Sequence, residues 1–193
     1  MIEQVSKKRD PKMEIVEASI KLFNEQGLKT GPKKICEMAN VAKGTLYHHF
    51  KGKEDLIIKS YISVKKELIS IMENAINQNE SHEENFKNIW KQTIFWGIEN
   101  QEKFRFIELV SSSPFVKKIP QDEINEANMP LVNLYNTGIE NGFLRRVNIK
   151  IAVKSIFFTL KGTILQLINN ECIISRDEII NQSFDLLWNG LAN

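Results

Sequence analysis

The chain has little of what marks disulfide-stapled, metal-binding or membrane-spanning proteins. Its 193 residues include only two cysteines and three histidines. Cys36 and Cys172 lie far apart, so there is no disulfide framework. Cys36 reads as a small core residue, with redox sensing as its alternative. His48 and His49 are adjacent, so on a helix they point about 100° apart and cannot hold one metal together. His82 stands alone beside a helix cap. No His-x-x-x-His, Cys-x-x-Cys or glycine-rich phosphate loop occurs, and no feature groups a nucleophile with a base. An enzyme is not expected, nor a cofactor or a metal site. No apolar run approaches the ~18 residues of a membrane span; Ile156-Phe157-Phe158 is soon broken by Lys161 and Gly162. Residues 1–9 lack the apolar segment of a signal peptide. The expectation is a cytoplasmic protein with no membrane partner.

The chain does have enough apolar sequence, 42%, to build a core for one or two modest domains. Its net charge of +2 is unevenly placed. Residues 1–53 carry eleven Lys/Arg against six Asp/Glu, a net +5, and residues 54–193 a net −3. A basic head on a slightly acidic body suits a duplex held at one end, although an imbalance of this size is ordinary by itself.

The most informative stretch is Gly44-Thr45-Leu46-Tyr47-His48-His49-Phe50. At about 100° per residue, Leu46 and Phe50 fall on one side of a short helix. Gly44, Thr45 and His48 fall on the other, edged by Lys43, Tyr47 and His49. Such a helix can anchor inward while presenting small and polar groups to base edges, with phosphate ligands beside them. Before it, Pro32 suits a first helical turn with Gly31 as its N-cap, and Ile35, Met38 and Ala39 share an apolar face. Asn40-Val41-Ala42 forms the turn, because Asn tolerates the left-handed corner. Upstream, Ile15, Ala18, Ser19, Leu22 and Phe23 share the face of a helix that Gly27 closes.

Taken in order, Ile15-x-x-Ala18-x-x-Leu22-Phe23-x-x-x-Gly27, Ile35, Val41, Gly44-Thr45-Leu46-Tyr47-x-His49-Phe50 and Lys53-Glu54-x-Leu56 resemble the DNA-binding domain of the tetracycline-repressor (TetR) family over roughly residues 11–60. Gly31, Asn40 and Ala42 stand where that family often has Thr, Gly and Ser. The resemblance implies that Lys43, Gly44, Thr45 and His48 face bases or the groove floor. Tyr47, His49 and Lys53, with Thr30, would hold phosphates.

From Lys53 on, the pattern is helical throughout. Leu56/Ile57, Tyr61, Val64, Leu68, Ile71/Met72 and Ala75 recur at three- and four-residue steps, which predicts one long helix ending near residues 77–79. Ser81 to Glu84 is a capping box opening a helix to about Asn100. A short helix around Glu102–Leu109 follows, then the break Ser111-Ser112-Ser113-Pro114. Further helices are expected at about 120–141, closed by Gly142, at 148–169 and at 175–191. The predicted fold is all-α: an N-terminal three-helix helix-turn-helix domain (1–53), joined by a long helix to a C-terminal helical ligand-binding and dimerisation domain (54–193).

Phe86, Trp90, Phe95, Trp96, Phe104 and Phe106 cluster in sequence. Aromatic stripes usually mean core, but these point several ways around one helix. With Met72, Phe115, Met129 and Tyr135 they suggest an apolar cavity, where the resemblance places a small-molecule inducer. The expected lining is Met72, Trp90, Trp96, Phe104, Glu108, Phe115, Met129 and Tyr135. Glu108 is the candidate for selecting a cation, and Glu99 reads as solvated. Ser155, Thr159, Gly162 and Gln166 form a stripe of mostly small residues beside an apolar face, and Phe184, Leu187, Trp188 and Leu191 line the last helix. These helices either complete an intrachain core or, as the resemblance implies, pair with a second copy in a four-helix bundle. The expected function is a homodimeric regulator, usually a repressor, that binds a palindromic operator in double-stranded DNA and leaves it on binding an apolar or amphipathic small molecule. A body that binds a protein partner instead is the alternative.

Overall fold

The computed structural model describes residues 10–169 and 174–193; Cys172 and the segment 1–9 lie outside them. The regular elements are helices: α1 (Pro11–Gln26), α2 (Pro32–Met38), α3 (Lys43–His49), α4 (Lys53–Asn74), α5 (His82–Glu99), α6 (Gln101–Ser111), a 3-10 turn (Pro114–Lys118), α7 (Gln121–Glu140), α8 (Ile149–Ile168) and α9 (Arg176–Leu191). Among the described residues there is no strand, and one antiparallel bridge joins Leu144 to Ala192. The fold is all-α, as the sequence pattern predicts. The long helix ends at Asn74, a little before the expected 77–79.

Two compact units share the chain. The first comprises the described residues up to Val64 together with Glu102–Ile119. Asp10 caps α1 by accepting from the Lys12 N–H, and Gly27, at φ +80°, closes it. Ile15, Leu22 and Phe23 of α1, Ile35 of α2 and Leu46 of α3 form a buried core. Asn40, at φ 51°, makes the corner between α2 and α3, the left-handed turn its side chain tolerates. The expected boundary after residue 53 follows the helix-turn-helix alone. In the structure, Phe106 of α6 stacks on Phe23 with ring centroids 6.0 Å apart. Tyr61 Oη and Ser111 Oγ lie 3.4 Å apart, and Lys118 pairs with Glu54. These contacts tie Glu102–Ile119 to the first unit.

The second unit comprises Lys65–Gln101 and the described residues from Pro120 to Asn193. Ser81 and Glu84 complete the reciprocal capping box of α5. Helix α5 buries Phe86, Ile89, Trp90, Thr93, Ile94, Trp96 and Gly97, because α7, α8 and α9 all pack on it. Tyr135 of α7 is fully buried. Its hydroxyl accepts from the Val147 N–H at 3.1 Å and lies 3.1 Å from the Arg145 carbonyl oxygen, so it fastens the α7–α8 connection. By length and composition α8 could cross a bilayer, with a mean hydropathy of 1.5, which its interrupted apolar run does not suggest. Its apolar face is used within the chain: Ala152, Ile156, Leu160, Ile164 and Leu167 are buried.

The approach of α5 to α8 depends on Gly97. A Cβ there would stand 2.8 Å from Ile164 Cδ1 and 3.0 Å from its Cγ2. Ile164 is buried and β-branched, hence stiff at χ1. Gly97→Ala should therefore destabilise the protein by about 1–3 kcal/mol, despite the better helix propensity of Ala. Gly97→Ala combined with Ile164→Val should recover part of that loss. Denaturant unfolding of the two single variants and the pair checks this, and strict additivity would remove the steric explanation.

Candidate functional site

Helix α3 is held from one side only. Leu46 is buried and Phe50, just past its end, is buried too. Lys43, Gly44, Tyr47 and His48 are exposed, while Thr45 and His49 are half-buried. Lys43 Nζ stands 5.8 Å from the centre of the Tyr47 ring, and the His48 and His49 rings meet edge to face at 5.1 Å. A Cβ on Gly44 would meet no heavy atom within 4 Å. No packing inside the chain therefore calls for glycine there, which leaves outward clearance as its use. Next to this helix, Asp55 accepts from the Lys51 N–H at 2.8 Å and pairs with Lys59 at 2.9 Å. Burial pushes the Asp55 carboxyl up, but these hydrogen bonds and the charge of Lys59 outweigh it and hold it below the usual carboxylate range.

Two of the expected DNA-facing residues are engaged within the chain. Thr30 is buried, and its hydroxyl donates to the Gly27 carbonyl at 2.9 Å, fixing the α1–α2 turn. Lys53 is half-buried and its ammonium donates to the Lys29 carbonyl at 3.3 Å. A lysine has three donors, so that bond leaves Lys53 able to reach a phosphate.

The expected ligand-lining residues divide between the two units. Phe104, Glu108 and Phe115 belong to the first, with Phe104 buried and the other two half-buried. Met72, Trp90, Trp96, Met129 and Tyr135 belong to the second. Trp90 is packed against Phe184 and donates to Ser183 Oγ at 3.2 Å. Trp96 donates to Glu67 Oε1 at 2.9 Å. Both indoles thus have the polar partner that a buried Trp needs, and they serve as core. Tyr135 does too, its hydroxyl occupied by backbone groups. Met129 is 44% exposed. It lines a groove between α7 and α8 of about 600 Å³, with Val132, Ile149 and Val153 as further apolar walls, and Gln121, Asn125, Lys150 and Lys154 at its polar margin.

The residues expected at a subunit interface fall into two groups. Ser155, Gly162 and Gln166 are exposed on α8 and Thr159 is half-buried. On α9, Phe184, Leu187 and Leu191 are buried in the chain's own core and Trp188 is half-buried. Phe184 stacks on Trp188 at 5.8 Å, and Trp188 meets Phe86 of α5 at 5.6 Å. These are the inward face of α9, since a helix packed on α5 turns its broad apolar stripe there. The large apolar side chains left outside are Ile151 and Phe158 on α8 and Leu186 on α9, each more than half exposed.

One charged group escaped the sequence reading. Lys65 falls in the apolar stripe of α4, one turn before Leu68 and Ile69, which are buried. Burial alone pushes its ammonium down to about 8. A lysine in the middle of an otherwise apolar periodicity is the signal that could have singled it out.

Residues 15–59 match the model of the bacterial regulatory proteins, tetR family. Over 98% of its length the chain is 25% identical to the fatty acid metabolism regulator protein of Bacillus subtilis (strain 168), all of which is covered. A tetR family transcription regulator from Shewanella sp. PV-4 superposes with a TM-score of 0.88 at 24% identity, over 96% of this chain and 100% of that one. The transcriptional regulator FadR from B. subtilis, solved in complex with stearoyl-CoA, gives 0.79 at 22% identity over 92% and 98%.

The desolvated ammonium of the half-buried Lys65 has a consequence for stability. Its folded pKa lies below the ordinary 10.5, so between about 8 and 10.5 the unfolded chain binds the proton more readily. Stability is therefore lost as pH falls through that window, and the penalty is complete below it. Lys65→Met should raise Tm at pH 7, and its advantage should vanish by pH 10.5. Thermal melts of both proteins across pH 7 to 10.5 check this; an advantage independent of pH would exclude the charge as its cause.

Proposed function

The chain belongs to the tetR family of bacterial regulatory proteins, and on that premise we propose that it is a cytoplasmic repressor that grips a palindromic operator as a homodimer and lets go on binding a long-chain acyl-CoA. The DNA half of the reading is carried by α3, whose outward face of Lys43, Gly44, Tyr47 and His48 is exposed and finds no packing role in the chain. Tyr47, His49 and Lys53 serve phosphates, while Lys43, Thr45 and His48 serve base edges, as their places around the helix allow. The two α3 helices of the dimer would enter half-sites ~34–36 Å apart.

The ligand half is supported by the end-to-end similarity to a fatty acid metabolism regulator and by the stearoyl-CoA held by the similar FadR. An acyl-CoA is amphipathic, and the second unit offers an apolar groove with a cationic margin. Ligand and operator would be linked through α4, which begins beside α3 and continues into the second unit. To reverse a 99:1 preference for the DNA-competent form, the ligand must favour the other form by ~5.5 kcal/mol.

Operator fragments selected from a random DNA pool should be bound by the dimer and released on adding palmitoyl-CoA, measured by fluorescence anisotropy. Operator affinity unchanged across the soluble range of palmitoyl-CoA would overturn the ligand assignment. Tyr47→Phe should weaken binding equally on selected and scrambled DNA. Lys43→Ala should instead relax base preference by ~1–3 kcal/mol.

The dimer is best tested outside the core. Phe184→Glu would charge the chain's own interior and unfold it whatever the assembly. Leu186→Glu with Phe158→Glu changes exposed positions, so it should leave folding intact and give a monomer in sedimentation equilibrium, because an unpaired charge buried in an interface costs about 3–5 kcal/mol. A folded dimer carrying both changes would move the interface elsewhere.

A further inference from the structure

The groove between α7 and α8 combines an apolar wall with two lysines that have no ion pair among the described residues. Its volume of about 600 Å³ is within the range of small-molecule sites. Met129 and Val132 come from α7, and Ile149 and Val153 from α8. Lys150 and Lys154 stand one turn apart on α8, both exposed, and like charges at that spacing repel. Lys150 also lies in the first turn of α8, which holds no acidic residue, so its charge adds to the positive end of the helix dipole. Two acids of α7 in the same unit, Glu123 and Glu126, pair instead with Lys66 of α4 at 3.2 and 3.8 Å, and among the described residues neither Asp122 nor Glu140 has an ion pair with Lys150 or Lys154. Gln121 and Asn125, at the groove margin, are hydrogen bonded to each other at 3.0 Å. Both electrostatic costs on α8 would be removed by a bound anion.

We propose that this groove receives the phosphate-bearing head of an acyl amphiphile, with Lys150 and Lys154 matching its charge and Met129, Val132, Ile149 and Val153 taking the apolar part beside it. The inference rests on the acyl-CoA reading above and adds where the charged end is recognised and by which residues. A lysine suits a phosphate as a point charge, and two of them, one helical turn apart, can serve a head that carries several. The groove is also clear of the stripe of Ser155, Thr159, Gly162 and Gln166. At about 100° per residue, Ile149, Lys150, Val153 and Lys154 centre on the opposite side of α8, so pairing through that stripe leaves the groove open.

The test is calorimetric titration of the full chain with palmitoyl-CoA and with palmitate, at low and moderate salt. Lys150→Gln with Lys154→Gln should weaken palmitoyl-CoA binding about tenfold or more at low salt and flatten its salt dependence. Lys150→Arg with Lys154→Arg should stay close to wild type. Palmitate, which has no phosphate, should lose much less. Met129→Trp should weaken palmitoyl-CoA by filling the groove with no change of charge, and melting curves confirm that each variant folds. Binding of palmitoyl-CoA within twofold of wild type in the double glutamine variant overturns the site. An equal loss for palmitate overturns the phosphate assignment. Operator release separates the two readings. If wild type and the glutamine variant release DNA at the same palmitoyl-CoA concentration, the groove fails and the repressor reading stands. If palmitoyl-CoA binds with the lysine dependence but releases no DNA, the groove stands and the repressor reading fails.

Discussion

The second unit depends on the burial of one broad face of α5. A narrow apolar stripe needs one neighbour, whereas an apolar face about half the helix circumference wide needs several. Phe86, Ile89, Trp90, Ile94 and Trp96 lie on that face and α7, α8 and α9 supply the covering layer, while Glu83, Glu84, Gln92 and Glu99 stay exposed on the other side. Two of these approaches need a missing side chain: Gly97 lets α8 close on it through Ile164, and Gly138 of α7 leaves room for His82. The indole N–H groups buried in the process must be satisfied, and Ser183 and Glu67 do so. The aromatic richness of the segment is thus the price of a central helix, and its rings fill the core.

The same need for cover explains the first unit. Three short helices have too little surface to enclose Phe23, and Phe106 completes the enclosure by stacking on it. The chain returns to this unit at Glu102 and leaves it again after Ile119, so the two units are joined by three passes of backbone, one of them inside α4. Any influence of the body on the DNA-binding helices has these passes as its covalent routes. The head itself remains simple: α3 is anchored by Leu46 and Phe50 and turns its other side outward.

The proposed function draws on what the packing leaves over. On α3 the leftovers are Lys43, Gly44, Tyr47 and His48; on α8 they are Lys150, Lys154 and the open apolar wall between α7 and α8. Residues with a settled place in the core, such as Trp90, Trp96, Tyr135 and Phe184, give the fold its stability and have few atoms to spare for a partner. Lys65 is the exception, a half-buried lysine whose ammonium is desolvated enough to lower its pKa to about 8.

The sequence by itself determined the helices, their caps and the recognition helix. Asp10, Gly27, Asn40, Ser81 and Gly142 act through local backbone geometry, and hydrophobic period and capping are properties of a few adjacent residues. The outward face of α3 was legible for the same reason, since a seven-residue helix with one apolar edge has only one way to pack. Only the tertiary structure decided that Glu102–Ile119 joins the first unit, that the broad stripe of α9 faces inward, and that Thr30 closes a turn. It also decided which of the aromatic and methionine residues are sealed in the core and which, like Met129, border an opening. Those outcomes depend on which neighbour reaches a given apolar surface first. Burial is a property of pairs of elements distant in the chain, and periodicity along one helix cannot say whether its covering partner is another part of the same chain, a second copy or a ligand.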